Sequence, residues 1–502
     1  MNLKINSIIF VYFKFLLVNG KSYLSNDPHQ GRRSCLTEYR SVVIPAAGAV
    51  ATEDQFMSKP IINQSYRRRT VLKTMLASGA LPLLSSGVVS SALAGGNRFA
   101  GRTLNLLIIQ PHVVTGKKIA EDFEKLTGAK VNVTAVPYDQ VSLKATLDFQ
   151  SGAGEFDVID YFYTYKGQLA EDGVIEDVTD LIEKDKAEIQ PDDFIQTIYD
   201  QYTLHDGRRY GLPYDGDSHL LFYNKELFDR YGLKPPTTWD EYNENAKIIT
   251  EAESRNGIYG AAVLGAKIPV IILSTYANRL TGFGGNFLKA DGTSALDSAE
   301  AVEALKSLLA SAPHALPTPL ETRFEEGLPA FLSGKAAQID FWTDLGGYAQ
   351  DPKGSKIVDK WGVTRIPVGG ANKTPRLAFN AGFGFAITSG SKNKDVAWEL
   401  IKLATSKDYH EQLLTLTGSG IDPDRHSGLN SEKFKAFQPL VQPLLSDGAL
   451  ENSLAWPTAV YAPKLENALT DELALALAGT KNAEQAIADA HKAWTTIIEA
   501  NG

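Results

Sequence analysis

Two aspartates one residue apart, Asp215 and Asp217, flank Gly216 just before the apolar run Leu220-Leu221-Phe222-Tyr223. Paired carboxylates can serve as general acid and base on a glycosidic bond, accept hydrogen bonds from a bound hydroxyl, or solvate a bending loop. A further acid follows an aromatic in Phe341-Trp342-Thr343-Asp344-Leu345-Gly346. Flat rings beside carboxylates suit a ligand that is apolar on its ring faces and dense in hydroxyls. Such a ligand needs paired partners, since an unpaired buried donor or acceptor costs ~1–3 kcal/mol. Candidate ring surfaces are Trp342, Phe383 beside Gly382, and the Tyr161, Tyr163, Tyr165 group; candidate polar partners are Asp215, Asp217, Asp344 and Arg425. Each has a plainer alternative: a core tryptophan, hinge-loop carboxylates, a surface ion pair at Arg425.

Other chemistries lack their residues. Gly282-Phe283-Gly284-Gly285 misses the third phosphate-loop glycine and follows no strand. Asp215-x-Asp217-x-His219 begins like a calcium loop without its sixth-place glycine or twelfth-place acid. The histidines beyond residue 94 show no metal-ligand spacing, and no G-x-S-x-G is present. The expectation is a non-enzymatic protein with no metal and no cofactor.

The elements that would position these residues alternate strand and helix. Residues 103–109, 130–134 and 156–160 read as strands, and a helix carrying Ile119, Phe123 and Leu126 ends at Gly128. Such a pattern implies a parallel-rich sheet with helices on both faces, and ligands bind beyond its C-terminal strand ends. That places Gln110, His112 and Tyr161 to Tyr165 at the candidate site. Asp206-Gly207 marks a two-residue hairpin turn between residues 202–205 and 208–211. Thr238 and Glu241 form a capping box opening a helix through Lys247. Asp344 before Gly346-Gly347 reads as a loop. The last helix carries Ile487, Ala490, Trp494 and Ile497 on one stripe.

Residues 212–241 then carry a resemblance. Leu-Pro ending a strand, an acidic crossover, Tyr-Asn-Lys-Glu-Leu-Phe and Pro-Pro-Thr-Thr-Trp-Asp-Glu are all present. This resembles the extracellular solute-binding proteins that deliver sugars to ABC transporters, with similar matches from about residue 103 to near the C-terminus. The resemblance implies an α/β type II periplasmic binding protein, two lobes joined by three crossovers with the ligand cleft between them. Those crossovers fall at residues 215–219, 380–384 and 418–425. Asn380-Ala381-Gly382-Phe383-Gly384-Phe385 is similar to the family's Gly-Gly-Trp-Gly hinge, with Ala381 for a glycine and Phe383 for the tryptophan. Ile421-Asp422-Pro423-Asp424-Arg425 resembles the third crossover, where the family often has Pro-x-Arg. The implied ligand residues are Gln110, His112, Tyr161, Tyr163, Asp215, Asp217, Trp342, Asp344, Gly382, Phe383 and Arg425. The implied partners are a small carbohydrate or polyol and an inner-membrane ABC permease, the protein acting as a monomer. Rival expectations are another solute on the same fold (a polyamine or glycerol phosphate) and a periplasmic glycosidase.

The first 94 residues read differently. Arg68-Arg69-Thr70-Val71-Leu72-Lys73, a weakly apolar run and Ala92-Leu93-Ala94 follow the order of a twin-arginine export signal ending in the periplasm. Met57 is the expected start, with residues 1–56 an over-called extension. Cleavage after Ala94 removes 11 basic and 4 acidic side chains, moving the net charge from −9 to −16, and removes the single cysteine, Cys35. An acidic, thiol-free body argues against nucleic acid and anionic membrane surfaces and rules out disulfides. The expected divisions are 57–94 signal, 95–214 first lobe, 215–380 second lobe, 381–420 return to the first, and 421–502 second-lobe helices.

Overall fold

A computed structural model describes residues 97–501. The expectations for Met57, the Arg68–Lys73 motif, Cys35 and the cleavage site lie outside those residues.

The first lobe is built on a five-stranded sheet in the order β2-β1-β3-β10-β6. Strand β1 (Thr103–Ile109) pairs in parallel with β2 (Lys130–Val136) and β3 (Val158–Phe162). All five residues of β3 are buried, whereas β2 alternates along the sheet edge. The third strand begins two residues later than its sequence suggests. Asp157 lies ahead of it, its carboxylate accepting from the Asn105 amide and the Ser391 hydroxyl. The helix Val113–Thr127 covers one face and stops at Gly128.

A hairpin of β4 (Leu204–His205) and β5 (Arg208–Arg209) turns at Asp206 and Gly207, both at positive φ. Tyr202 and Thr203 end the preceding helix instead of extending the hairpin. Strand β6 (Leu212–Asp215) closes the sheet edge, and the chain then passes into β7 (His219–Asn224) of a second sheet. That sheet, order β8-β7-β9, is wholly antiparallel, with β8 (Gln338–Trp342) and β9 (Trp361–Thr364) flanking β7. The capping box at Thr238 and Glu241 opens the helix Trp239–Glu253. The helices Pro269–Gly282, Ala299–Ser311, Ala462–Leu477 and Ala483–Asn501 pack together, and the indole of Trp494 donates to the Leu465 carbonyl at 2.8 Å. Finally β10 (Phe383–Ile387) returns to the first sheet, antiparallel to both β3 and β6. Among the described residues no helix is long and apolar enough to cross a membrane.

Candidate carboxylate and aromatic cleft

The site begins where β1 ends. A short 3-10 turn, Gln110–His112, tucks the imidazole of His112 inward to 1 % exposure. Its Nδ1 lies 2.8 Å from Oδ2 of Asp160 on β3, and its Nε2 lies 3.1 Å from Oδ2 of Asp215 on β6. Burial pulls the imidazole toward neutrality, but hydrogen bonds and charge from the two aspartates outweigh it and raise its pKa to about 9. At neutral pH both ring nitrogens therefore donate. Burial raises Asp160 to about 6 despite that partner.

Asp215 is the junction of the first and third crossings. Its Oδ1 accepts the Asp422 amide at 2.7 Å. The Gly216 amide donates to the Asp422 carbonyl at 3.1 Å, and a Cβ on Gly216 would stand 2.0 Å from the Pro423 carbonyl oxygen, so only glycine fits there. Asp217 joins the first crossing to the second: its Oδ2 accepts the Gly382 amide at 3.1 Å, its carbonyl the Asn380 amide at 3.2 Å. Gly382 sits at φ +72, and a Cβ there would meet the Tyr202 hydroxyl at 2.0 Å. Asp422 Oδ2 in turn accepts the Thr343 amide beside Asp344.

These contacts crowd carboxylates together. Burial first, then the charges of Asp215, Asp422 and Asp344, hold Asp217 well above the usual range. Burial, then Asp344 and Asp215, does the same for Asp422. Burial and the charge of Asp215 raise Asp344 to about 7. The Oδ1 of Asp344, a residue 9 % exposed, has no hydrogen-bond partner.

Aromatic faces close the space. Tyr138, in the turn after β2, faces Trp342 at the end of β8 with ring centroids 6.4 Å apart and planes 19° from parallel. Phe383 lies 6.2 Å from Tyr138 and 5.1 Å from His112. Beyond Tyr138 a cavity of about 30 Å³ is lined by Phe162 and Tyr165 from the first lobe and Ile268, Val270 and Glu466 from the second. Glu466 is 2 % exposed, neither oxygen has a partner, and burial lifts its pKa to about 8. Thr164 lies beside it without a hydrogen bond of normal geometry.

The structure brings His112, Asp215, Asp217, Trp342, Asp344, Gly382 and Phe383 together and sets four other sequence candidates apart. Gln110 is exposed at the strand end. Tyr161 corrects the strand-end expectation: its ring lies against Gly211 and Gly384, and its hydroxyl donates to the Tyr202 carbonyl at 2.9 Å. Tyr163 stacks on Tyr202 at 4.5 Å, its hydroxyl donating to the Phe379 carbonyl and accepting from the Trp456 amide. Arg425 is neither a surface ion pair nor a cleft residue. It is fully buried over Phe194, its donors taken by the carbonyls of Thr405, Ile189 and Gln190 and by Asp193. Trp342 ends a strand, its indole donating to the Asn380 carbonyl at 2.6 Å, and Asp344 lies in the turn between that strand and a short helix, Leu345–Ala349.

Three residues were missed. Tyr138 follows β2, where the strand-end rule that picked His112 applies equally. Asp422 lay within the third crossing but was overshadowed by Arg425. Glu466 sits mid-helix and has no local signal. The described residues also contain one group with metal-ligand reach, Glu171, His205 and Asp206, at the β4–β5 hairpin.

Two α/β lobes, strands exchanged between them at β6–β7 and before β10, and a buried polar cleft at the crossings define a two-lobed solute receptor of the type II periplasmic binding fold. The chain belongs to the bacterial extracellular solute-binding protein family, whose model matches residues 112–411. It is 26 % identical over 378 residues to a probable amino-acid ABC transporter periplasmic-binding protein of Sinorhizobium fredii, covering 74 % of this chain and 83 % of that one. It is 25 % identical over 405 residues to the erythritol/L-threitol-binding protein of Mycolicibacterium smegmatis, with the same two coverages. An Agrobacterium radiobacter solute-binding protein in complex with ribitol superposes with a TM-score of 0.71 at 27 % identity, over 79 % of this chain and 99 % of that one.

Proposed function

We propose that the cleft binds a sugar or related polyol and that the closed receptor presents it to an inner-membrane permease. The observation that carries this is the facing pair Tyr138 and Trp342 beside buried carboxylates, a ring platform with polar edges. The polyols named for two of the relatives support it. Asp217, Asp344 and Asp422 accept ligand hydroxyls, and Trp342, Tyr138 and Phe383 supply stacking faces. Asp215 and His112, already paired with protein groups, fix the crossings.

Residues 215–219, 380–384 and 418–425 form the hinge. Ligand touching both lobes favours the closed state by its difference in affinity for the two states. No bond is broken. The protein works as a periplasmic monomer, exported by the twin-arginine route.

A thermal-shift screen over sugars and polyols, followed by calorimetry, tests the reading. A bound solute at 100 times Kd should add roughly 2.7 kcal/mol of stability. Absence of any shift across the library, or turnover of a chromogenic glycoside, would overturn it.

A further inference from the structure

We propose that the solute carries a cationic amine, as an amino sugar or amino polyol does, with its ammonium seated at Asp344 among Asp217 and Asp422. The inference rests on the sugar-or-polyol reading above and narrows it.

The site is made of carboxyl groups. Asp215, Asp217, Asp344 and Asp422 are all buried, and the Oδ1 of Asp344 has no partner. Among the described residues, the charges that bear most on Asp217 and Asp422 are other carboxylates. The basic group that bears most on Asp344 is His112, and Asp160 and Asp215 already hold both of its nitrogens. On the far side of Tyr138 the one charged side chain on the second-lobe wall of the cavity is again an acid, Glu466.

A hydroxyl brings one donor and two acceptor lone pairs, and apart from carboxyl protons those lone pairs find few donors here. An ammonium brings three donors and no acceptor, which matches carboxylate oxygens. It also supplies the missing counter-charge, without which buried acids this close cannot all ionise. Tyr138 and Trp342 offer the π-faces that attract a cation. A phosphorylated or acidic sugar would meet repulsion at the same place.

The test uses matched pairs at pH 7: D-glucitol with 1-amino-1-deoxy-D-glucitol, D-glucose with D-glucosamine, and erythritol with its monoamine, with putrescine as a bare diamine. Calorimetry should show the amine of at least one pair binding at least tenfold tighter than its neutral partner. Asp344→Asn should shrink that ratio at least threefold. Equal or weaker amine binding would overturn the inference and leave the sugar-or-polyol reading standing. An undiminished ratio in Asp344→Asn would overturn the placement at this cluster. Putrescine binding tighter than every hydroxylated compound, or no binding in any pair, would overturn both readings together.

Discussion

The amide of Asp422 donates to Oδ1 of Asp215 at 2.7 Å, while the other oxygen of the same carboxylate lies 3.1 Å from Nε2 of His112. One side chain thus ties the first crossing to the third and both to the end of β1. Since the imidazole is also held by Asp160, a buried Asp–His–Asp chain spans three strands of the first lobe.

That chain sets a pH window. A histidine whose folded pKa, about 9, exceeds its ordinary 6.5 contributes stability that is full below 6.5 and lost as pH rises through 9. The wild type should lose its advantage over His112→Gln across that interval at up to ~1.4 kcal/mol per pH unit. Denaturant melts of both proteins at pH 6, 7.5 and 9.5 check it. A stability difference independent of pH would show that His112 is not charged in the fold.

Glu466 predicts a trend of the same sign at lower pH. Its carboxyl, raised from 4.5 to about 8 by burial, costs nothing below 4.5 and progressively more up to 8. Glu466→Gln should therefore gain on the wild type between pH 5 and 8, by a few kcal/mol at most. Parallel thermal melts at those two pH values measure the gain; equal differences at both would mean the carboxylate finds a partner in solution.

Ala381 stands at φ +80 in the second crossing, fully buried, where the family motif has glycine. A left-handed alanine costs ~1–2 kcal/mol, partly offset because glycine loses more freedom on folding. Ala381→Gly should stabilise by ~0.5–1 kcal/mol. Chemical denaturation decides it, and a loss of stability would mean the Ala381 methyl contributes more through packing than its backbone costs.

The platform prediction centres on Tyr138. Tyr138 is only half-buried, whereas Trp342 is 2 % exposed and hydrogen-bonded to Asn380, so truncating the tryptophan would also open the core. Tyr138→Ala should weaken ligand binding by ~1–3 kcal/mol with little change in melting temperature. Trp342→Phe keeps a face and should lose less affinity. Calorimetry with a ligand found in the screen distinguishes the two; unchanged affinity in Tyr138→Ala would remove the ring from the site.

Export can be checked in cells. On the proposed twin-arginine route, Arg68→Lys with Arg69→Lys should leave the precursor in the cytoplasm, because that route reads the arginine pair. Undiminished mature protein in the periplasmic fraction would refute that route.

Much of the fold was legible because its signals are local. The Asp206-Gly207 turn, the Thr238–Glu241 capping box and the glycine stop at Gly128 each depend on a few neighbouring residues. The stripe of Ile487, Ala490 and Trp494 is likewise visible in a single helix, and all three are buried. The direction of side chains was harder to read. In β3 every residue is buried, so no alternation separates the cleft face from the core face, and Tyr161 could not be placed. Arg425 was misjudged because its partners, Ile189 and Asp193, lie more than two hundred residues away. Asp422 and Asp215 are equally distant in sequence, and only the return of the chain at the third crossing brings them together.

The buried Glu466 makes closure of the lobes an event in proton accounting. Where parting of the lobes lets water reach this carboxyl, it would ionise at ordinary acidity, whereas buried as it is here it holds a proton up to about pH 8. Between those limits each molecule that closes draws about one proton from its surroundings, whatever cargo it has taken. The heat of binding should then vary with the ionisation enthalpy of the buffer. A receptor built this way responds to the acidity of its compartment as well as to the abundance of its solute, burial of Glu466 favouring closure as the medium turns acid.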